Sequence, residues 1–144
     1  MPDSSREIDL NPRTYVGLSF PLRADNNNDF RMTKNSLQQS RHNLKNLLLT
    51  MPGERVMMPE FGCRLRELIM EQNDKDLPIK IEEVIREAVV KWLPYVNIST
   101  VDTLTDDGNE NRVFVTVKYA TALDADTLQQ ITLDAGYTST GGEY

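Results

Sequence analysis

The spacing of the apolar residues changes once along this chain, at Pro94, and that change limits the folds open to it. From Asp76 to about Leu93 the apolar residues are Leu77, Ile81, Val84, Ile85, Ala88, Val89 and Trp92. Their steps of three, four and one lay them along one broad side of an α-helix. Asp76 stands where a cap belongs, Pro78 falls in the first turn where its missing N–H costs nothing, and Pro94 ends the run. Beyond Pro94 the period is two. Val96 and Ile98 alternate with Asn97 and Ser99, which predicts a strand reaching about Leu104, with a bulge on the way. Asp106-Asp107-Gly108-Asn109 reads as a turn. Val113, Val115, Val117 and Tyr119 then alternate with Phe114, Thr116 and Lys118 in a strand from Arg112 to Ala120, and a weaker strand at 128–133 holds Leu128, Ile131 and Leu133. Helices first and a meander afterwards read as α+β: N-terminal helices packed on a small, mostly antiparallel C-terminal sheet.

Upstream, Thr33 is the predicted cap of a helix running to about Thr50, with Leu37, Leu44, Leu47, Leu48 and Met51 near one side. His42 falls among polar neighbours and reads as a lone surface histidine. Residues 52–62, Pro-Gly-Glu-Arg-Val-Met-Met-Pro-Glu-Phe-Gly, hold too much Pro and Gly for helix, and Gly53 and Gly62 suit backbone positions with φ > 0. A short helix is expected from about Arg64 to Glu71. Residues 1–32 read as an extended arm, because Pro2, Pro12 and Pro21 interrupt helix and Asn26-Asn27-Asn28-Asp29 is a loop composition. Tyr15 to Phe20 form either a short strand or an apolar peg within it. The arm is read as a docking segment, with plain disorder as the alternative. The remaining units are a domain at 33–134 and a small, polar, mobile tail at 135–144.

Composition excludes several classes of function. The chain has 144 residues, enough for one domain plus arms, and holds no apolar run near the length that spans a bilayer. Residues 1–10 carry Asp3, Arg6, Glu7 and Asp9 and no apolar stretch, so the expectation is a chain that folds in a cytosol. Net charge is +2 over residues 1–55 and −8 over 56–144, which gives the overall −6. Such a balance offers no footprint for a nucleic-acid backbone. One cysteine, Cys63, and one histidine, His42, leave neither a disulfide framework nor a Cys- or His-based metal site. No cofactor is expected, since no Gly-rich loop has the spacing that cradles phosphates.

Catalytic groups are equally scarce. Cys63 lacks a basic partner and reads as a small buried residue at a helix start. Glu54 and Glu60 flank Met57-Met58-Pro59, and Glu67 and Glu71 share a side of the short helix. Glycoside hydrolysis needs two carboxyl groups, one raised by an apolar pocket, beside a groove for the sugar. With 22 acidic residues, pairs arise by chance, and few aromatic residues remain to line a groove.

Three runs of residues carry a resemblance. Leu47-Leu48-Leu49-Thr50, Pro52-Gly53-Glu54-Arg55 and Met58-Pro59-Glu60-Phe61-Gly62-Cys63 resemble the signature of the contractile-tail baseplate wedge family. Its members occur in T-even-like bacteriophages and in type VI secretion baseplates, and many carry the label "gene-25-like lysozyme". The likeness spans about residues 33–134 and follows the same order of elements. One departure stands out: the family ends its long helix with Glu-Pro-Arg after an aromatic residue, whereas Leu93-Pro94-Tyr95 follow Trp92 here.

The resemblance implies a structural subunit of a phage tail baseplate wedge, made in the bacterial cytoplasm and carried in the virion. It implies wedge subunits, the tail sheath protein and tail tube or hub proteins as partners, with neither nucleic acid nor membrane among them. It further implies that the subunit starts the sheath through strands exchanged with neighbours, for which 112–120 and 128–133 are candidates. The interface residues expected on this reading are Pro59, Phe61, Gly62, Leu93, Pro94, Tyr95, Val113, Val115, Val117, Tyr15 and Phe20. The lysozyme label is discounted. A tail-associated peptidoglycan hydrolase is the alternative, and a stand-alone binding module the third reading.

Overall fold

The structure is a computed structural model and describes residues 9, 11, 13–25, 29–70, 76–106, 109–122 and 124–134. Its elements, in chain order, are β1 (Gly17–Leu18), β2 (Met32–Thr33), α1 (Ser36–Leu49), α2 (Leu65–Met70), α3 (Leu77–Trp92), β3 (Val96–Asp106), β4 (Asn109–Thr121) and β5 (Asp124–Asp134). β1 and β2 pair antiparallel, and β3-β4-β5 form an antiparallel sheet with β4 in the middle. The fold is α+β, as its periodicities predict. The 135–144 tail lies outside the described residues.

One core joins the helices to one face of the sheet. Leu44, Leu47 and Leu48 of α1, Ile81, Ile85 and Val89 of α3, and Leu65 of α2 pack over Val113, Val115, Val117 and Tyr119, with Ile131 and Leu133 beside them. The other face of the sheet carries polar pairs beside the exposed Leu104. Lys118 Nζ lies 3.1 Å from an Asp102 carboxylate oxygen, and the Thr116 and Thr132 hydroxyls are 3.1 Å apart. Period-two alternation therefore sorts β4 into a wet side and a dry side. Leu128 shows the limit of reading apolarity alone, since its position in the alternation puts it out in solvent.

Of the two predicted caps, one moves and the other stays in place without a capping bond. Asn35, not Thr33, begins α1: its side chain accepts from the Leu37 N–H at 2.8 Å, and Asp9 Oδ1 accepts from the Ser36 N–H at 2.9 Å. Both satisfy donors that the first helical turn leaves open. Thr33 is instead buried in β2, where its hydroxyl donates to the Gly17 carbonyl at 3.1 Å and faces the Gln39 side-chain oxygen. Asp76 does stand at the start of α3, yet in helical backbone geometry, so its side chain makes no capping bond. A cap oxygen reaches the next amides only from an extended residue.

The sheet's two edges differ. The register between β3 and β4 shifts between Ile98 and Thr100, leaving Ser99 as an extra residue. Arg86 of α3 donates to the carbonyls of Ile98 at 3.0 Å and Ser99 at 3.3 Å, while its Nε donates to Glu82 at 2.8 Å. The helix thus ties down the bulged stretch of β3. β5 pairs with β4 along one side, and its residues Ile131, Thr132, Leu133 and Asp134 border a cleft.

Candidate functional site

Residues 50–63 form a fixed protrusion. The Gly53 N–H donates to the Pro59 carbonyl at 2.7 Å, and the Cys63 N–H to the Thr50 carbonyl at 2.9 Å, which closes the loop at its base. Gly53 has φ +95 and Gly62 φ +135, both in the region that favours glycine. A Cβ at Gly62 would lie 2.5 Å from the Thr50 carbonyl oxygen and 2.8 Å from the Met51 carbonyl carbon. Only glycine lets the two backbones approach so closely. Phe61 meets Trp92 edge-on with ring centroids 5.2 Å apart, and the Arg55 guanidinium stacks 3.9 Å from the Phe61 centroid. At the tip, Val56 and Met57 are 94% and 95% exposed.

The predicted site residues separate into distinct surroundings. Pro59 is exposed on the loop, Phe61 is half-buried on Trp92, and Gly62 is buried at the loop's base. Leu93 belongs to the core. Pro94 is exposed, and Tyr95 turns inward, its hydroxyl accepting from Asn43 Nδ2 at 2.9 Å. Val113, Val115 and Val117 are buried under the helices on a strand already paired on both sides. A neighbour's strand has no way onto β4, so the expected role of 112–120 as an acceptor edge is corrected: the free edges belong to β3 and β5. Tyr15 is exposed beneath the Lys34 ammonium, 5.4 Å from the ring centroid.

Phe20 leads to a residue whose role the sequence conceals. His42 Nδ1 lies 2.8 Å from the Phe20 carbonyl and 3.2 Å from the Phe20 N–H. One tautomer donates to the first; the other accepts from the second. His42 is therefore a half-buried latch between the arm and α1, not a lone surface histidine. With the β1–β2 pair and an isolated bridge between Ala24 and Phe30, it lays residues 17–25 and 29–33 side by side as the two limbs of a hairpin. The hairpin, α1 and β5 enclose an open cleft of about 670 Å³.

Glu54 and Glu60 are both exposed. Glu54 accepts from the Met51 N–H at 3.0 Å, and Glu60 lies 3.8 Å from Lys91 Nζ. Neither sits in the apolar pocket that raises a general acid. Burial pushes the Cys63 thiol up to about 11, with Glu87 adding to the rise and a hydrogen bond with the Leu65 backbone opposing it. A thiol held protonated is a poor nucleophile. Among the described residues there is no cluster of His, Cys, Asp or Glu that would hold a metal, and no helix long and apolar enough to cross a membrane.

Residues 35–126 match the family model described as "Baseplate wedge protein gp25", which is more than half of the chain. The chain belongs to this family. Solved structures share the fold. A candidate tail lysozyme from Geobacter sulfurreducens is 21% identical, with 74% of this chain and 96% of that one covered and a TM-score of 0.63. A chain of the anti-feeding prophage baseplate is 23% identical over 73% of this chain and 83% of that one, at a TM-score of 0.65. A chain of the type VI secretion baseplate complex is 14% identical over 68% and 90%, at 0.52. No curated protein sequence matches the chain. The loop at 50–63, where the resemblance in sequence lies, falls inside the matched segment.

Proposed function

We propose that this chain is a structural subunit of a contractile-tail baseplate wedge, made in the bacterial cytoplasm and built into the tail, where it starts the sheath by strand exchange. Family membership supports the baseplate role. The observation that carries the strand-exchange step is the unequal sheet: β3 is tied to Arg86 at its bulge, while β5 borders an open cleft. A free strand edge presents a row of unpaired amides and carbonyls that an extended segment can complete. Partners on this reading are other wedge subunits, the sheath protein, and tube or hub proteins.

Co-expression with the wedge and sheath proteins of the same tail tests the proposal. The expected result is a stable complex with the wedge proteins that seeds sheath polymerisation. Recovery of the chain alone, with sheath nucleation unchanged by its presence, sinks it. The arm at 1–32 is proposed to contribute docking contacts. Deleting it removes the Asp9 contact to α1, so the truncated chain should fold with reduced stability yet assemble poorly.

A hydrolase reading has one observation in its favour, the tail-lysozyme description of a structural relative. Clearing of purified peptidoglycan that disappears in both Glu54→Gln and Glu60→Gln would establish it. The exposure of both carboxylates leads us to expect no clearing.

A further inference from the structure

The cleft between the arm hairpin, α1 and β5 concentrates charge against the trend of the chain. Among the described residues that line it, four are basic, Arg23, Arg31, Arg41 and Lys45, and one is acidic, Asp134. The chain as a whole carries −6. Cations brought together from two elements in so acidic a protein are costly to gather, and a bound anion relieves that cost. Their crowding registers on Lys45, whose pKa is held below its usual value by burial and then by Arg41. No ion pair joins Arg23, Arg31 or Arg41 to another described residue.

β5 contributes a different chemistry. Ile131, Thr132, Leu133 and Asp134 are consecutive, and all four border the cleft. Side chains along a strand alternate between its faces, so four in succession meet one cleft where the strand presents its edge. Four residues at about 3.3 Å each give roughly 13 Å of backbone edge. Phe20, Met32 and Leu49 supply apolar surface beside it. The volume, about 670 Å³, falls in the range of about 300–1,000 Å³ common to binding sites.

We propose that this cleft binds an extended, carboxylate-bearing segment of another protein, laid beside β5 with its acidic side chains directed to Arg23, Arg31 and Arg41. The inference rests on strand addition at β5, proposed above, and adds the chemistry of the incoming chain. Backbone pairing supplies register and the cations supply selection, the usual division of labour in strand addition.

Three fluorescein-labelled, end-capped octapeptides test it by anisotropy with the full chain: alternating Val-Glu, alternating Val-Thr and alternating Val-Lys. The Val-Glu peptide is expected to bind at least tenfold more tightly than the Val-Lys peptide, with Val-Thr between them. Raising salt from about 50 to 300 mM should narrow the difference. Arg31→Glu and Arg41→Glu, both exposed positions, should reverse the preference while circular dichroism stays unchanged. Equal binding of Val-Glu and Val-Thr leaves strand addition standing and overturns the acidic selection. Binding of none of them overturns both. A labelled oligothymidine that binds more tightly than the Val-Glu peptide would show a nucleic-acid groove instead and overturn the proposal.

Discussion

The loop at 50–63 and the arm hairpin at 17–33 are both irregular, proline-containing segments packed against α-helical neighbours, yet they are held by opposite means. Backbone closes the loop: Cys63 bonds to Thr50, Gly53 to Pro59, and Gly62 brings two chain segments within contact that no side chain could share. The arm is held chiefly by side chains from elsewhere, through His42 on Phe20, Gln39 beside Thr33, and a two-residue strand pair. The difference teaches which segment is fixed by the core and which can open by itself. Backbone closure opens only when the surrounding core opens, whereas a side-chain latch opens alone.

Glycine substitutions break the comparison most sharply. Gly62→Ala combines positive φ with contacts to backbone atoms that cannot yield, and should cost about 3 kcal/mol or more in urea denaturation. Gly17→Ala meets only the end of the Gln39 side chain, which can swing away, so a loss of about 1 kcal/mol is expected. If the two mutants lose equal stability, the loop is no more rigidly built than the arm.

Alkaline titration comes next in size. The Cys63 thiol at the base of the loop is raised from an ordinary 9.0 to about 11, and burial lifts the Tyr119 hydroxyl to about 12, partly opposed by Arg41. Both groups bind protons more tightly when folded than when unfolded. Their contribution is therefore intact below about pH 9 and is lost as pH rises toward 11–12. For Cys63 the loss approaches about 2–3 kcal/mol, and Cys63→Ala should flatten the pH 9–11 portion of the stability curve. A curve with the same slope in the mutant would remove Cys63 from the account.

His42→Ala is the smallest expected effect, about 1 kcal/mol in global stability. Its signature is local: amide exchange at Phe20 and Arg31 should quicken while the amide of Cys63 stays protected. Equal acceleration at Cys63 would mean that loop and arm open together.

How much of this was legible in the sequence follows from the range of the contacts. α3 and β4 were read to within a few residues because Ile81, Ile85 and Val89, or Val113, Val115 and Val117, declare their faces through local spacing. The loop's glycines were legible because positive φ is a local demand. The arm's structure was not, because Phe20 meets His42 across 22 positions and Asp9 meets Ser36 across 27. Asn35 displaced Thr33 as the cap for the same reason, since Thr33 is claimed by Gly17. The cleft was least legible of all. Its cations lie between 23 and 45, its strand edge at 131–134, and periodicity does not report that topology brings them together.

The Arg86 contact to Ile98 and Ser99 has a consequence for how many chains can join. A sheet with two open margins has a valence of two and can propagate into a fibre. Here α3 ties one margin at Ile98 and Ser99 with its arginine, and strand addition at β5 alone, as proposed, gives a valence of one. Under strand addition, a unit of valence one can begin a polymer or end it, but cannot extend it. The count of such units in a ring would then set the number of growing strands, with no further control needed.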